Sequence, residues 1–195
     1  TTPKIPELYY LALFLRTIPL AVLTAFMIYF FRDPNRTIDP NYKDKIGSVV
    51  VAPADGSVCA IQEEGGNLAV YVELHVTNVH VQRAHLNGKV VEVTRWSGNH
   101  YPVYFLKKKI GAESRAIKKN ARVVIKLLDE KERPFEIQLI CGKVARRAKS
   151  YVMPGDILQK GQRVGVISFG SLVKITVPGT NYKQIAQIGQ NIYGG

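Results

Sequence analysis

Three short stretches carry side chains that could do chemistry together. "PADG" (Pro53–Gly56) offers a carboxylate at Asp55, and "NVHVQRAH" (Asn78–His85) offers an imidazole at His80 and a guanidinium at Arg83. "VISFGSLVKI" (Val166–Ile175) offers a hydroxyl at Ser171, directly after Gly170. A hydroxyl, a proton acceptor and a carboxylate are the parts of an activated-nucleophile site. Each also has an ordinary explanation. Asp55 can cap a turn, a lone strand histidine is commonly structural, and most Gly-Ser pairs are turns. The Gly-Ser pair stands out because it interrupts a β-branched apolar run, where glycine marks a bend or a close backbone approach. In the alternative reading the Gly170–Ser171 bond is itself a reactant. Glycine would then leave the Ser171 hydroxyl an open path to the preceding carbonyl and would tolerate a strained backbone.

Other chemistries find no support. No phosphate loop of the Walker type and no G-x-G-x-x-G follows a strand pattern. The four histidines are His75, His80, His85 and His100. The odd intervals between the first three put consecutive ones on opposite faces of a strand. The two cysteines, Cys59 and Cys141, are far apart, so neither a zinc site nor a disulfide framework is expected. No nucleic-acid motif accompanies the basic residues, and no nucleic-acid partner is expected.

The elements that must position these residues are short and β-rich. Gly47–Ala52, Ser57–Gln62, Leu68–His75, Lys89–Trp96, Arg122–Leu128, Phe135–Cys141 and Arg163–Phe169 are β-branched runs, most of them separated by Gly, Pro, Asn or Asp. That density predicts a mainly β, barrel-sandwich-like antiparallel domain. "DEKERP" (Asp129–Pro134) reads as a hairpin connection, and Lys107–Asn120 reads as a mobile basic loop.

The N-terminus differs. From Tyr9 to Phe31 only Arg16 is charged, and Tyr9, Tyr10, Tyr29, Phe30 and Phe31 bracket the run as interfacial aromatics do. Residues 1–31 read as a membrane-anchoring hydrophobic helix with no cleavage site of the signal-peptide kind just after it. Residues 32–46 read as a linker, and residues 47–195 as the β domain. The net charge is +12; losing Lys4, Glu7 and Arg16 with the anchor leaves +11 on the remainder. A domain so basic suits the cytoplasmic face of an anionic cell membrane.

The wording and order of several stretches are more specific. "FFRDPNR", "APADG", "NVHVQRAHLNGKV", "NARVVI", "GKVARR" and "KGQRVGVISFGS" resemble the short form of the phosphatidylserine decarboxylase family. The resemblance covers residues 30–178. It implies a proenzyme that cuts itself at Gly170–Ser171, giving a large chain, residues 1–170, and a small chain, residues 171–195. Ser171 would become an N-terminal pyruvoyl group, with no external cofactor. Asp55 matches the acid of the family's A-D-G motif, and His80 matches the histidine of its V-H-x-x-R motif. Arg83 stands where long-form relatives carry a second histidine. His85 stands where relatives usually have proline, offering another titrating group near the site. Leu172, Val173 and Lys174 stand where they usually read R-V-D, removing an Arg and an acid beside the pyruvoyl.

The implied reaction is loss of carbon dioxide from phosphatidylserine through a Schiff base with the pyruvoyl group, giving phosphatidylethanolamine. His80, of a residue type whose ordinary pKa is near neutral, is the candidate for returning a proton to carbon. Arg83, Arg146 and Arg147 are candidates for the lipid phosphate or carboxylate, since arginine binds both in bidentate fashion. Two other readings compete. One is an archaetidylserine decarboxylase acting on ether lipid. The other is a non-enzymatic biotinyl-, lipoyl- or phosphohistidine-carrier module with His75 in "VYVELHV" as carrier. Homo-oligomer formation is left open.

Overall fold

A computed structural model describes residues 7–38, 49–103, 114–144, 147–168, 170–179, 182 and 185–195. The expected Arg146 site, residues 39–46 of the expected linker and residues 107–113 of the basic loop lie outside these. Two compact units result, Thr1–Arg32 and Asp33–Gly195. The first holds α1 (Glu7–Phe30), 24 residues with Pro19 inside. Its segment Tyr9–Phe30 is long and apolar enough to cross a membrane. At 1.5 Å per residue α1 is about 36 Å long, against a hydrocarbon core of about 30 Å.

The second unit is mainly β. Its strands are β1 (Gly56–Glu64), β2 (Asn67–Leu74), β3 (Val81–Arg83), β4 (Gly88–Trp96), β5 (Arg122–Leu128), β6 (Pro134–Cys141), β7 (Ala148–Ser150), β8 (Ile157–Leu158), β9 (Arg163–Ile167), β10 (Ser171–Pro178) and β11 (Asn191–Ile192), and one short helix, α2 (Arg115–Lys119), precedes β5. An eight-stranded antiparallel sheet runs β11-β1-β2-β10-β6-β5-β4-β8, and a three-stranded sheet runs β3-β9-β7. Strand alternation sends Val173, Ile175 and Val177 of β10 to one face, where they pack with Ile137 and Leu139 of β6 and with Val164 and Ile167 of β9. The main core therefore lies between the two sheets. Leu172 and Ile140 point the other way, into a smaller cluster with Tyr71, Val103, Ala116 and Ile117.

Most β-branched runs became strands because alternation gave each one a buried face. Two expectations changed. Residues 49–52 form no strand; the Val51 N–H donates to the His85 carbonyl instead. Part of the basic loop is helical, since α2 buries Ala116 and Ile117 against the second cluster. The bend expected at the Gly-Ser pair separates two strands: β9 ends at Ile167 and β10 begins at Ser171, in different sheets. The "DEKERP" connection does join β5 to β6, with Asp129 Oδ1 accepting the N–H groups of Lys131 and Arg133 at 2.9 and 2.8 Å.

His85 is not the extra titrating group expected. It is fully buried, its ring lies 5.8 Å from that of Phe135, and neither ring nitrogen has a hydrogen-bond partner among the described residues. Burial lowers its pKa to about 3, so the folded chain holds it neutral. Between that value and its ordinary one near 6.5 the unfolded chain binds a proton that the folded chain refuses. Stability is therefore complete above that window and falls as pH drops through it. From pH 7.5 to 5.0 the loss at this residue amounts to roughly 2 kcal/mol. Urea midpoints in detergent at the two pH values measure it. His85→Leu removes this part of the slope; equal slopes in both proteins would rule the assignment out.

Candidate functional site

β9 of the small sheet ends at Ile167, and β10 of the large sheet begins at Ser171. Just before β10, Gly170 takes a left-handed conformation, φ +63°, which glycine adopts without a Cβ penalty. Ser171 then opens β10, a strand paired on both sides: Ser171 stands opposite Leu74 of β2 and Cys141 of β6. Alternation puts Ser171 on the face of Val173, toward the small sheet. Its side chain is fully buried, and Oγ has no hydrogen-bond partner among the described residues. A buried hydroxyl without a partner costs about 1–3 kcal/mol, and a catalytic role is one of the explanations for such a group.

His80 lies just before β3, with its carbonyl accepting the Ile167 N–H at 3.2 Å. That bond fixes His80 beside the end of β9, three residues short of Gly170. The Gln82 amide donates to the same carbonyl at 2.8 Å. Only 1% of His80 is exposed, and its Nδ1 is 2.9 Å from the Asn78 carbonyl oxygen. A carbonyl can only accept, so Nδ1 carries the proton. Nε2 is then the basic nitrogen of the neutral ring.

Asp55, also buried, serves two other partners. Its Oδ1 accepts the Gly194 N–H at 2.9 Å, and its Oδ2 meets Arg36 Nη2 at 2.8 Å. The described partners of Asp55 are Gly194 and Arg36, while His80 Nδ1 donates to Asn78. Asp55 thus ties the C-terminal tail and the "RDPNR" segment to the first turn of the domain. Arg83 plays a similar part. It is buried and donates to Gly161 O at 3.1 Å, to Pro34 O at 2.9 Å and to Asp33 Oδ1 at 3.0 Å. Asp33 also pairs with Arg163. Burial lowers the Arg83 pKa. The Arg83 guanidinium thus clamps residues 33–34.

Arg147 is exposed, and it lines a cleft of about 570 Å³ whose wall includes Cys141, the cross-strand partner of Ser171. Arg95, Arg122 and Lys149 line the same cleft, with His100, and no carboxylate does among the described residues. Arg95, Arg147 and Lys149 have no acidic partner among the described residues. Arg122 is tied to the Asn120 carbonyl and Gln138. Sequence reasoning found only Arg147 of this group. The others come from β4, β5 and β7, and no local motif joins them. Burial pushes the Cys141 thiol up to about 11, so it stays a thiol at neutral pH.

The substitutions expected beside Ser171 are elsewhere. Lys174 shares the face of Leu172, away from Ser171, and pairs with Glu64 Oε2 at 2.6 Å. Tyr71 donates its hydroxyl to the same carboxylate. His75, the carrier candidate, is exposed just after β2, with Nε2 3.3 Å from Ser57 Oγ.

Comparison with known proteins bears on this arrangement. The sequence profile of phosphatidylserine decarboxylase matches residues 23–195. A phosphatidylserine decarboxylase proenzyme of Carboxydothermus hydrogenoformans is 34% identical over 181 residues, covering 89% of this chain and 78% of that protein. A Halobacterium salinarum protein, provisionally named an archaetidylserine decarboxylase proenzyme, is 37% identical over 157 residues, covering 80% of this chain and 69% of its own length. A protein of Methanosarcina acetivorans with the same provisional name is 32% identical over 156 residues, 80% of this chain and 66% of its own.

Proposed function

The chain belongs to the phosphatidylserine decarboxylase family, whose members are carboxy-lyases, and we propose on that premise that it matures by cutting itself at Gly170–Ser171 and then decarboxylates phosphatidylserine. The observation that carries the reading is the buried, unpartnered Ser171 Oγ directly after a left-handed glycine, at the point where the chain changes sheets. The hydroxyl adds to the Gly170 carbonyl carbon, the C–N bond breaks, and the amide becomes an ester with a free amino group on residue 171. His80 takes the hydroxyl proton through Nε2. Elimination of the Gly170 carboxylate and hydrolysis then leave residue 171 as a pyruvoyl group and release ammonia. Formed there, the pyruvoyl group supplies an electron sink for loss of the substrate carboxylate.

The rest of the chain supports both stages. β10 is held by β2 on one side and β6 on the other, and the Gly194 N–H is held by Asp55. A cut before Ser171 therefore leaves the small chain within the sheet. Arg147, Arg95 and Lys149 give the cleft beside Cys141 the positive charge that a phosphate and a carboxylate require. In this reading His80 also returns a proton to carbon once carbon dioxide has left. The apolar helix anchors the chain, and the basic domain faces anionic lipid on the cytoplasmic side.

The test is an intact-mass measurement under denaturing conditions, paired with carbon dioxide release from vesicles containing phosphatidylserine. We expect two chains, the smaller lighter by one ammonia than residues 171–195 with an N-terminal serine. A protein that decarboxylates as one uncut chain would refute the mechanism. Release from an ether-linked serine lipid in place of the ester lipid would reassign the substrate.

A further inference from the structure

Gly142 makes an unusually close approach to the reacting carbonyl. Ser171 pairs with Cys141, so one step further along the two chains Gly142 comes opposite Gly170. A Cβ built on Gly142 would lie 2.1 Å from the Gly170 carbonyl oxygen, 2.9 Å from Val103 Cγ2 and 3.2 Å from the Gly170 carbonyl carbon. Ordinary contact begins near 3.4 Å, so the carbonyl oxygen would have to move by about 1.3 Å (3.4 − 2.1 Å).

Gly142 is not free to retreat. The peptide that joins it to Cys141 is held by Asn120, whose Nδ2 donates to the Cys141 carbonyl at 2.7 Å. The Cys141 N–H donates in turn to the Ala121 carbonyl at 2.9 Å. Asn120 is 1% exposed and also bonds both the N–H and the carbonyl of Tyr101, each at 2.8 Å. Those bonds brace the segment that brings Val103 to the same place. The seat for the Gly170 carbonyl is therefore rigid on the Gly142 side.

From this geometry we infer that Gly142 is a positioning residue for self-cleavage: its missing side chain is the space in which the Gly170 carbonyl oxygen is held for attack by Ser171. The inference rests on the self-cleavage reading above. The step it serves is the first one, in which the Oγ–C bond forms, the C–N bond breaks and the hydroxyl proton ends on the released amine. A displacement of about 1 Å at a reacting carbonyl costs about 100-fold in rate. A later block would have a different signature, because the ester would already exist.

The experiment follows maturation of the full chain in Gly142→Ala, with Gly165→Ala as the comparison. Gly165 is also crowded, though less tightly than Gly142: a Cβ there would lie 2.6 Å from the Lys149 carbonyl oxygen and 2.8 Å from Leu139 Cδ1, and neither atom belongs to the Gly170–Ser171 bond. Thermal melting measures the fold of each. Time courses of cleavage measure the rate, and hydroxylamine releases the small chain wherever an ester has accumulated. We expect G142A to melt cooperatively, to mature at least about 100-fold slower than the parent and to yield no small chain with hydroxylamine. G165A should lose melting temperature yet mature at the parental rate in its folded fraction. The inference is overturned if folded G142A matures at the parental rate, if hydroxylamine cleaves it, or if G142A fails to fold while G165A folds. If the parent chain itself is never cut, the self-cleavage reading fails, whatever G142A does.

Discussion

Ser171→Ala leaves one uncut chain of 21.8 kDa that releases no carbon dioxide from phosphatidylserine. The alanine removes the only atom of residue 171 that can attack the Gly170 carbonyl, and with it the source of the pyruvoyl group. Both stages therefore fail through one oxygen. The expected loss is on the order of 10⁶-fold, or to the floor of the assay, as when a covalent nucleophile is deleted. The fold should survive. Oγ makes no hydrogen bond among the described residues, so its deletion breaks none of those, and a buried unmet polar group disappears. S171A should melt at or slightly above the temperature of the uncut parent. The paired measurement is intact mass with melting temperature. An uncut, stable and inactive chain supports the assignment. A cut S171A chain places the reacting bond elsewhere.

His80→Gln should slow maturation by about 10²–10⁴-fold, the range for loss of a positioned general base. Glutamine can keep a hydrogen bond to the Asn78 carbonyl, so the turn that holds residue 80 persists while the basic nitrogen is lost. Two readouts separate this from a structural fault. Imidazole added to His80→Ala should restore part of the maturation rate, since it returns the base without the tether. H80Q that has matured slowly should then show a low kcat with a nearly unchanged KM, because proton return to carbon belongs to the transition state and not to lipid binding. Maturation and turnover at parental rates in H80Q would remove His80 from both roles.

The fold class was legible because its signals are local. Period-2 alternation in runs such as Arg122–Leu128 and Phe135–Cys141 reports a buried face directly. The apolar stretch from Tyr9 to Phe30 likewise carries its own length argument. The short strands β7, β8 and β11 were not read, and β3 was read only as a strand or its end. Two or three residues carry no period, and only their partners make them strands. The same limit applies to Val166–Ile175, where the bend was legible but the change of sheet was not. Both halves are β, but no local pattern says that they belong to different sheets.

The candidate site divides in a similar way. Ser171, Gly170, His80 and Asp55 could be named from residue types in short recognisable stretches. Their relations could not. Asp55 to Gly194 is a contact across 139 positions, and Arg83 to Asp33 one across 50. Through those partners Asp55 and Arg83 hold the tail and the "RDPNR" segment, which no local pattern reports. The cationic cleft joins Arg95 of β4 to Arg147 and Lys149 at β7, more than 50 positions away. Lys174 is three residues from Ser171 in sequence and on the other face of the sheet. By itself, then, the amino-acid order determined the chemical parts, the β character and the apolar helix, because each is written within a few consecutive residues. Tertiary structure alone decided which parts meet: that His85 is a neutral core ring, and that Gly142 lies against the Gly170 carbonyl. Burial and long-range pairing are properties of the folded chain, and no residue carries them before it folds.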